Sequence, residues 1–387
     1  MGDIGSLVAV NDQSTEIDKA ASRNQPRVLR FGVVGIGRMG QLHALNILRL
    51  VPQAQLVCAC SPAKADLEWA ETNLIPHGVA VYPTFEEMIQ FPGLDAVVVA
   101  SLSELHYQHT KASLERGIHV LCEKPVTQTV EQLQDLISIV QQSSNNGKGP
   151  QLMVGFTRRF DENYQEAAAK IRAGAIGSPV VIRSQGCEKL DDAPFMHSYV
   201  VNAARGGGFF VDSIIHDIDL TLSFLEAGNK STVPQSVCGF GTAAHFKELE
   251  SQDPEIRDGD NVVGMVQFWG GHIAFHYNSR TAAAGYDNQT EIFGTSGKIS
   301  VNLVSRLNRL ELSDDSGVHV SALPSWYDRY KPSFVSEVIA FTDAVLEQKP
   351  MPISLESCVT SLTIAQALQE SFRTGKKIDF DKEGKRI

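Results

Sequence analysis

Short apolar runs and helically spaced apolar residues alternate along the first third of the chain. Residues 28–34 form a nearly continuous apolar run, the pattern of a strand buried on both faces. Met39, Leu42, Leu45, Ile47 and Leu48 then recur at helical spacing. Residues 54–60, 79–82, 94–100 and 119–122 repeat the strand pattern, separated by helical stretches at 64–73, 85–91 and 106–116. Strands alternating with helices predict a parallel sheet covered on both faces. A further periodic helix at 127–142 leads into residues 143–150, the most polar, turn-rich window of the interior, where a domain boundary is expected.

Beyond that window the rhythm changes. Candidate strands at 180–186, 237–244, 262–268, 272–279, 289–293, 298–302, 309–313 and 318–322 follow one another without crossover helices, which predicts mostly antiparallel pairing with helices on one face. Helices at 333–347 and 355–374 close the chain. The expected organisation is α/β: a tail over 1–26, a doubly wound parallel Rossmann domain over 27–146, and an α+β domain over 150–387 with a large, mostly antiparallel open sheet. The closing helices are expected to pack back on the first domain.

Composition narrows the class. At 387 residues the chain exceeds one ordinary core, and 43% hydrophobic with 20% charged residues is a globular balance. Counting 34 basic against 45 acidic residues gives a formal charge of −11, which argues against a nucleic-acid partner. No apolar run reaches the ~18 residues of a membrane span. Met1-Gly2 with Ser6 fits an N-acylation pattern, but no polybasic patch follows to supply a second anchor. The six cysteines lack paired metal-ligand spacing and sit mostly in apolar runs, so they read as small buried hydrophobes of a reducing, cytoplasmic compartment.

Gly35-Ile36-Gly37-Arg38-Met39-Gly40 stands between the first strand and the first helix. Gly35 permits the turn, Gly37 admits a pyrophosphate to the backbone, and Gly40 lets helix and strand pack closely, with the helix N-terminus facing the phosphates. At the end of the second strand, where an NAD enzyme carries an acid for the ribose, the chain has Ser61, with Lys64 nearby; this favours NADP mildly over NAD. Ser101 and His106 follow the fourth strand, and Glu123-Lys124-Pro125 ends the fifth, all at the carboxyl edge where open α/β sheets bind ligands. In the second half, Asp212, His216 and Asp219 are spaced four and three residues apart and so share one face of a helix, with Asp217 turned away. A carboxylate beside the imidazole is expected to raise its pKa, as suits a base for a hydroxyl proton. Gly206-Gly207-Gly208 is expected to make the turn that brings this helix to the cofactor.

Together with Gly155-Phe156-Thr157-Arg158-Arg159-Phe160-Asp161, these motifs resemble, in order, those of the Gfo/Idh/MocA oxidoreductases, and among them the inositol 2-dehydrogenases. The likeness runs from about Arg30 to Arg373. It implies hydride exchange between NAD(P) and a secondary alcohol on an inositol or pyranose-type polyol, with Lys124, Asp212 and His216 as the catalytic group and no metal. It further implies that Arg158, Asp219 and Tyr286 hold neighbouring hydroxyls, with His197 a further candidate, and that the open sheet serves a homo-oligomer, dimer or tetramer. Trp326 and Tyr327 are candidates for the pocket edge. Ala284 and Thr157 depart from the inositol-enzyme pattern and leave the substrate open. Two other readings stand beside it: reduction of another C=O, C=N or conjugated substrate, and a dinucleotide sensor without catalysis.

Overall fold

The computed structural model describes residues 27–143, 149–253 and 255–387; the expected tail and its acylation pattern lie outside them. The first sheet is formed by β1 (Leu29–Val34), β2 (Ala54–Cys60), β3 (Ala80–Tyr82), β4 (Ala96–Val99), β5 (His119–Glu123) and β6 (Leu152–Gly155). Its order is β3-β2-β1-β4-β5-β6 and every pairing is parallel. Helices α1 (Arg38–Leu50), α2 (Lys64–Asn73), α3 (Phe85–Met88), α4 (His106–Glu115) and α5 (Val130–Ser143) connect the strands. The sixth strand lies past the turn-rich window, so the first sheet extends beyond residue 146, at which its domain was expected to end. Val120 pairs with Leu152 and Glu123 with Gly155, a register that completes the edge beside β5.

The second sheet is fed by α6 (Glu162–Arg172), β7 (Pro179–Lys189), α7 (Pro194–Arg205), α8 (Ile215–Ala227), β8 (Pro234–Thr242), β9 (Asn261–Phe268), β10 (Ile273–Ala282), β11 (Asp287–Gly294) and β12 (Lys298–Val301). A hairpin of β13 (Leu312–Asp314) and β14 (Gly317–His319) stands apart from it, and α9 (Trp326–Glu347), α10 (Leu355–Thr374) and β15 (Ile378–Asp379) follow. The order is β12-β11-β7-β10-β9-β8-β15, antiparallel except for β7 beside β10. Residues alternate cleanly in burial. Val262, Val266, Ala274, Ile182 and Ile292 face a helix-covered core, whereas Phe240, Met265, Ile273 and Phe293 are exposed on the other face.

Helix α6 is not among the expected elements, although Asp161 caps its N-terminus through the amides of Asn163 and Tyr164 and Ala167, Ala168 and Ile171 repeat at helical spacing behind it. Helix α9 reaches back to the first lobe. Its Phe341 ring lies 5.9 Å from Phe31 of β1, and Phe334 meets His43 of α1 edge-on at 5.8 Å. Burying one such phenyl ring contributes about 1.5–3 kcal/mol, so α9 is a strut between the lobes. Gln366 of α10 adds a hydrogen bond to the Gln128 carbonyl. Among the described residues, no helix is long and apolar enough to cross a membrane.

Gly40 has no room for a side chain, since a Cβ there would stand 1.7 Å from the Gly35 carbonyl oxygen. Gly40→Ala should therefore force α1 away from β1, cost about 1–3 kcal/mol of stability and weaken dinucleotide binding. Thermal unfolding with and without NAD checks this: an unchanged Tm in both conditions would show that the turn yields without strain.

Candidate active site

A cavity opens between the lobes, walled on the first-lobe side by Arg38, Met39, Ser101, His106, Glu123 and Lys124. These lie at the carboxyl ends of β1, β4 and β5, where parallel strands point their loops the same way. At Gly35 the backbone is left-handed (φ 85°), and a Cβ there would come within 2.6 Å of Ser101, so the first and fourth strand loops close on each other. Gly37 begins α1, and no side chain caps that terminus. The first-turn amides are thus free to meet an anion, which is what a dinucleotide pyrophosphate requires. Ile36 is fully buried and its carbonyl accepts from Gln41. His106 lines the cavity but its ring nitrogens face the carbonyls of Pro125 (2.8 Å) and Ser101 (3.0 Å), so it braces two loops.

Ser61 and Lys64 are engaged elsewhere. Ser61 is buried and its hydroxyl donates to the Asp66 carboxylate at 2.6 Å, which brings an acid to the end of β2. Lys64 is exposed and sits 3.5 Å from Glu68.

The second-lobe wall is formed around the turn Gly207-Gly208 (φ 119° and 85°), after which residues Phe210–Ile214 form a π-helical turn that runs into α8. Gly208 packs so closely on Gln369 that a Cβ would meet it at 2.1 Å. The π turn uses more residues per revolution than an α turn, so Asp212 falls out of phase with Asp219. Asp212 and His216 line the cavity; Asp219 does not. Instead Asp219 is buried in a two-pronged pair with Arg159 (2.7 and 2.8 Å), outside the site in which it was expected. Asp217 is also absent from the cavity lining and fully buried behind it, where it accepts from Arg158 at 2.7 Å and from Asn278 at 3.2 Å. Arg158 in turn donates to the Tyr286 hydroxyl at 3.4 Å, and both line the cavity. His197 stands outside the cavity, on the surface against Glu248 at 2.5 Å; two residues along the same helix, Tyr199 faces inward.

Asp212 is the electrostatic centre. Lys124 Nζ donates to its main-chain oxygen at 2.5 Å and lies 3.7 Å from its carboxylate. Arg280 donates to the carboxylate at 2.5 Å and Tyr199 at 3.1 Å. Burial alone would raise the Asp212 pKa, but Lys124 and Arg280 outweigh it and hold the carboxyl below its usual range. Arg280 and Tyr199, which come from β10 and α7, were not foreseen; neither belongs to a local motif. Glu188, Trp326 and Tyr330 also face the cavity, and Arg38 lies over the Trp326 ring. Tyr327 is not part of this wall.

His216 departs from expectation. The Asp212 carboxylate is held by Arg280 and Tyr199, and the His216 Nδ1 is buried with no hydrogen-bond partner beside the edge of Phe156. Burial first, then the Arg158 and Lys124 cations, push its pKa well below the ordinary histidine value, the reverse of the expected shift. The ring is therefore neutral at neutral pH and ready to accept a proton.

Residues 29–155 match the family described as "Oxidoreductase family, NAD-binding Rossmann fold", and residues 164–300 match the GFO/IDH/MocA C-terminal domain. The chain belongs to the Gfo/Idh/MocA oxidoreductase family. It is 28% identical to a scyllo-inositol 2-dehydrogenase (NAD(+)) of Bacillus subtilis, over 91% of this chain and 96% of that protein. A myo-inositol 2-dehydrogenase of Thermotoga maritima is also 28% identical, over 91% of this chain and 99% of the relative. The crystal structure of scyllo-inositol dehydrogenase from Lactobacillus casei with bound NAD(H) and scyllo-inositol superposes with a TM-score of 0.81 at 30% identity, covering 91% of this chain and 99% of that one.

Because His216 is neutral until the pH falls well below 6.5, alcohol oxidation should hold its kcat/KM down through that value and fall only on the acid side. The same depressed pKa means the unfolded chain binds more protons, so His216 contributes a loss of stability as pH drops below about 6.5. A pH–rate profile whose acid limb lies at or above 6.5 and vanishes in His216→Gln would contradict the assignment.

Proposed function

We propose that the chain is an NAD-dependent dehydrogenase that interconverts a secondary alcohol and a ketone on an inositol or pyranose-type polyol. The carrying observation is the wall of one cavity, which brings Lys124 from β5 together with His216 and the Asp212 pair from the other lobe. The inositol dehydrogenases among its relatives support the substrate class.

Bound at the free N-terminus of α1 and along Arg38, Met39 and Ser101, NAD would supply the hydride acceptor. His216, neutral and aimed into the cavity, takes the hydroxyl proton. Lys124 carries a positive charge to the same oxygen as negative charge builds on it, and so does the work of a Lewis acid without a metal. Asp212 anchors Lys124 through its main-chain oxygen and carboxylate, while Arg280 and Tyr199 keep Asp212 itself fixed and ionised. Arg158, Tyr286 and Glu188 offer two donors and an acceptor to the flanking hydroxyls of a ring.

For the cofactor, the preference drawn from Ser61 and Lys64 turns toward NAD. The Asp66 carboxylate held by Ser61 would accept ribose hydroxyls and repel a 2′-phosphate, and Lys64 is directed to Glu68. Asp66→Ser should lower KM for NADP by about tenfold or more, the factor that corresponds to about 1.4 kcal/mol, with a smaller effect on NAD. Equal effects on the two cofactors would place Asp66 away from the ribose.

A homo-oligomer built on the open sheet face is supported by the exposed Phe240, Met265, Ile273 and Phe293, an apolar set on one side of β8, β9, β10 and, across β7, β11. A cytoplasmic setting is supported by six free cysteines, five of them buried.

Purified protein given NAD and a panel of inositols, sugars and dihydrodiols should form NADH with the cyclic polyols. His216→Ala should lose on the order of 10²-fold in kcat while still binding the dinucleotide. Tight dinucleotide binding with no turnover of any panel member would favour the sensor reading, and turnover confined to dihydrodiols would favour the alternative reductase.

A further inference from the structure

At the first-lobe wall of the cavity, of which Glu123 is part, three buried titratable groups from three elements meet. His43 comes from α1, Glu123 from the end of β5 and Glu337 from α9; one ligand atom of each lies within 4.8 Å of the others. His43 and Glu337 are fully buried and Glu123 nearly so. His43 Nε2 donates to Glu123 Oε1 at 2.8 Å, and the other Glu123 oxygen accepts the Lys124 amide at 3.3 Å. Both Glu337 oxygens are buried with no hydrogen-bond partner at all.

Two ionised carboxylates in this dry space would be untenable. A buried charge persists only when paired, and the one imidazole is already directed at Glu123. Lys124 and His106 lie near Glu123, and neither reaches Glu337. We propose that Glu337 is a neutral, protonated acid in the working enzyme, one carboxyl oxygen of which stands within 4.8 Å of the Glu123 carboxylate. A proton on Glu337 leaves Glu123 as the sole negative charge of the cluster, where the His43 ring and the Lys124 amide already hold it. Burial, then the neighbouring Glu123 charge, raise the Glu337 pKa well above the ordinary carboxyl range, in agreement with this state.

The sign of the pH effect follows. The folded chain holds a proton at Glu337 that the unfolded chain releases above about pH 4.3, so the unfolded state binds fewer protons and stability falls as pH rises from there toward the folded pKa. Replacing the acid by its neutral isostere removes that slope.

The test is made on the whole protein without substrate, so its outcome is independent of the substrate assignment. Infrared spectra at neutral pH, with carbon-13 glutamate to mark glutamate bands, should show the carbonyl stretch of a protonated glutamic acid that survives at a pH where exposed carboxyls are ionised. Glu337→Gln should lose that band and gain Tm relative to the parent as pH is raised from about 5 to about 8. Should the variant not fold, the band in the labelled parent still decides the protonation state. Absence of the band from the parent overturns the proposal. So does a folded Glu337→Gln whose Tm follows pH as the parent's does, or a divalent metal retained at one per chain and lost in that variant.

Discussion

The arrangement depends on one carboxylate held by a cation from each lobe. Asp212 meets Lys124, carried by the parallel sheet, and Arg280, carried by the antiparallel one. Among the described residues neither cation forms an ion pair with any other carboxylate, and Asp212 is kept ionised by the pair despite its burial. An attraction of this kind in a poorly solvated seam is stronger than at a surface, and losing one member leaves an uncompensated charge that costs about 3–5 kcal/mol. It therefore serves two ends at once: it fixes the ammonium proposed to act on the substrate oxygen, and it ties together the two lobes that wall the cavity.

The same cations explain the state of His216. A histidine next to an aspartate in sequence invites the reading of a raised pKa, but helix proximity is not charge proximity. Here the aspartate has been claimed by stronger partners, so the imidazole feels burial and two positive groups. A base of lowered pKa is weaker, yet it is wholly in its accepting form at neutral pH, and the developing alkoxide leans on Lys124 rather than on the base alone.

What the sequence disclosed is the chemistry that is local. The glycine turn, the strand–helix alternation, the Glu123-Lys124 strand end and the Asp212/His216 spacing each sit within a few residues, and each forms as its periodicity demands. The partners of these residues were hidden because they arrive from far along the chain. Arg280 stands 68 residues beyond Asp212, and Tyr199 reaches it from a helix that no expected element included. Asp217 and Asp219 both left the cavity because buried arginines claimed them, Arg158 the one and Arg159 the other. Adjacent Arg158 and Arg159 then divide between them, one toward the cavity and one into the core.

The path of the chain between the lobes adds a mechanical consequence. Strand β6 ends at Gly155, and the next turn, Thr157–Phe160, carries Arg158 straight into its pair with Asp217. The covalent crossing is thus itself a wall of the pocket. Rocking one lobe against the other would pull a buried guanidinium from its carboxylate at the crossing, while α9 resists from the far side. The hinge of any such movement is thus braced by an ion pair at its own axis, so opening the cleft and breaking that pair are one event.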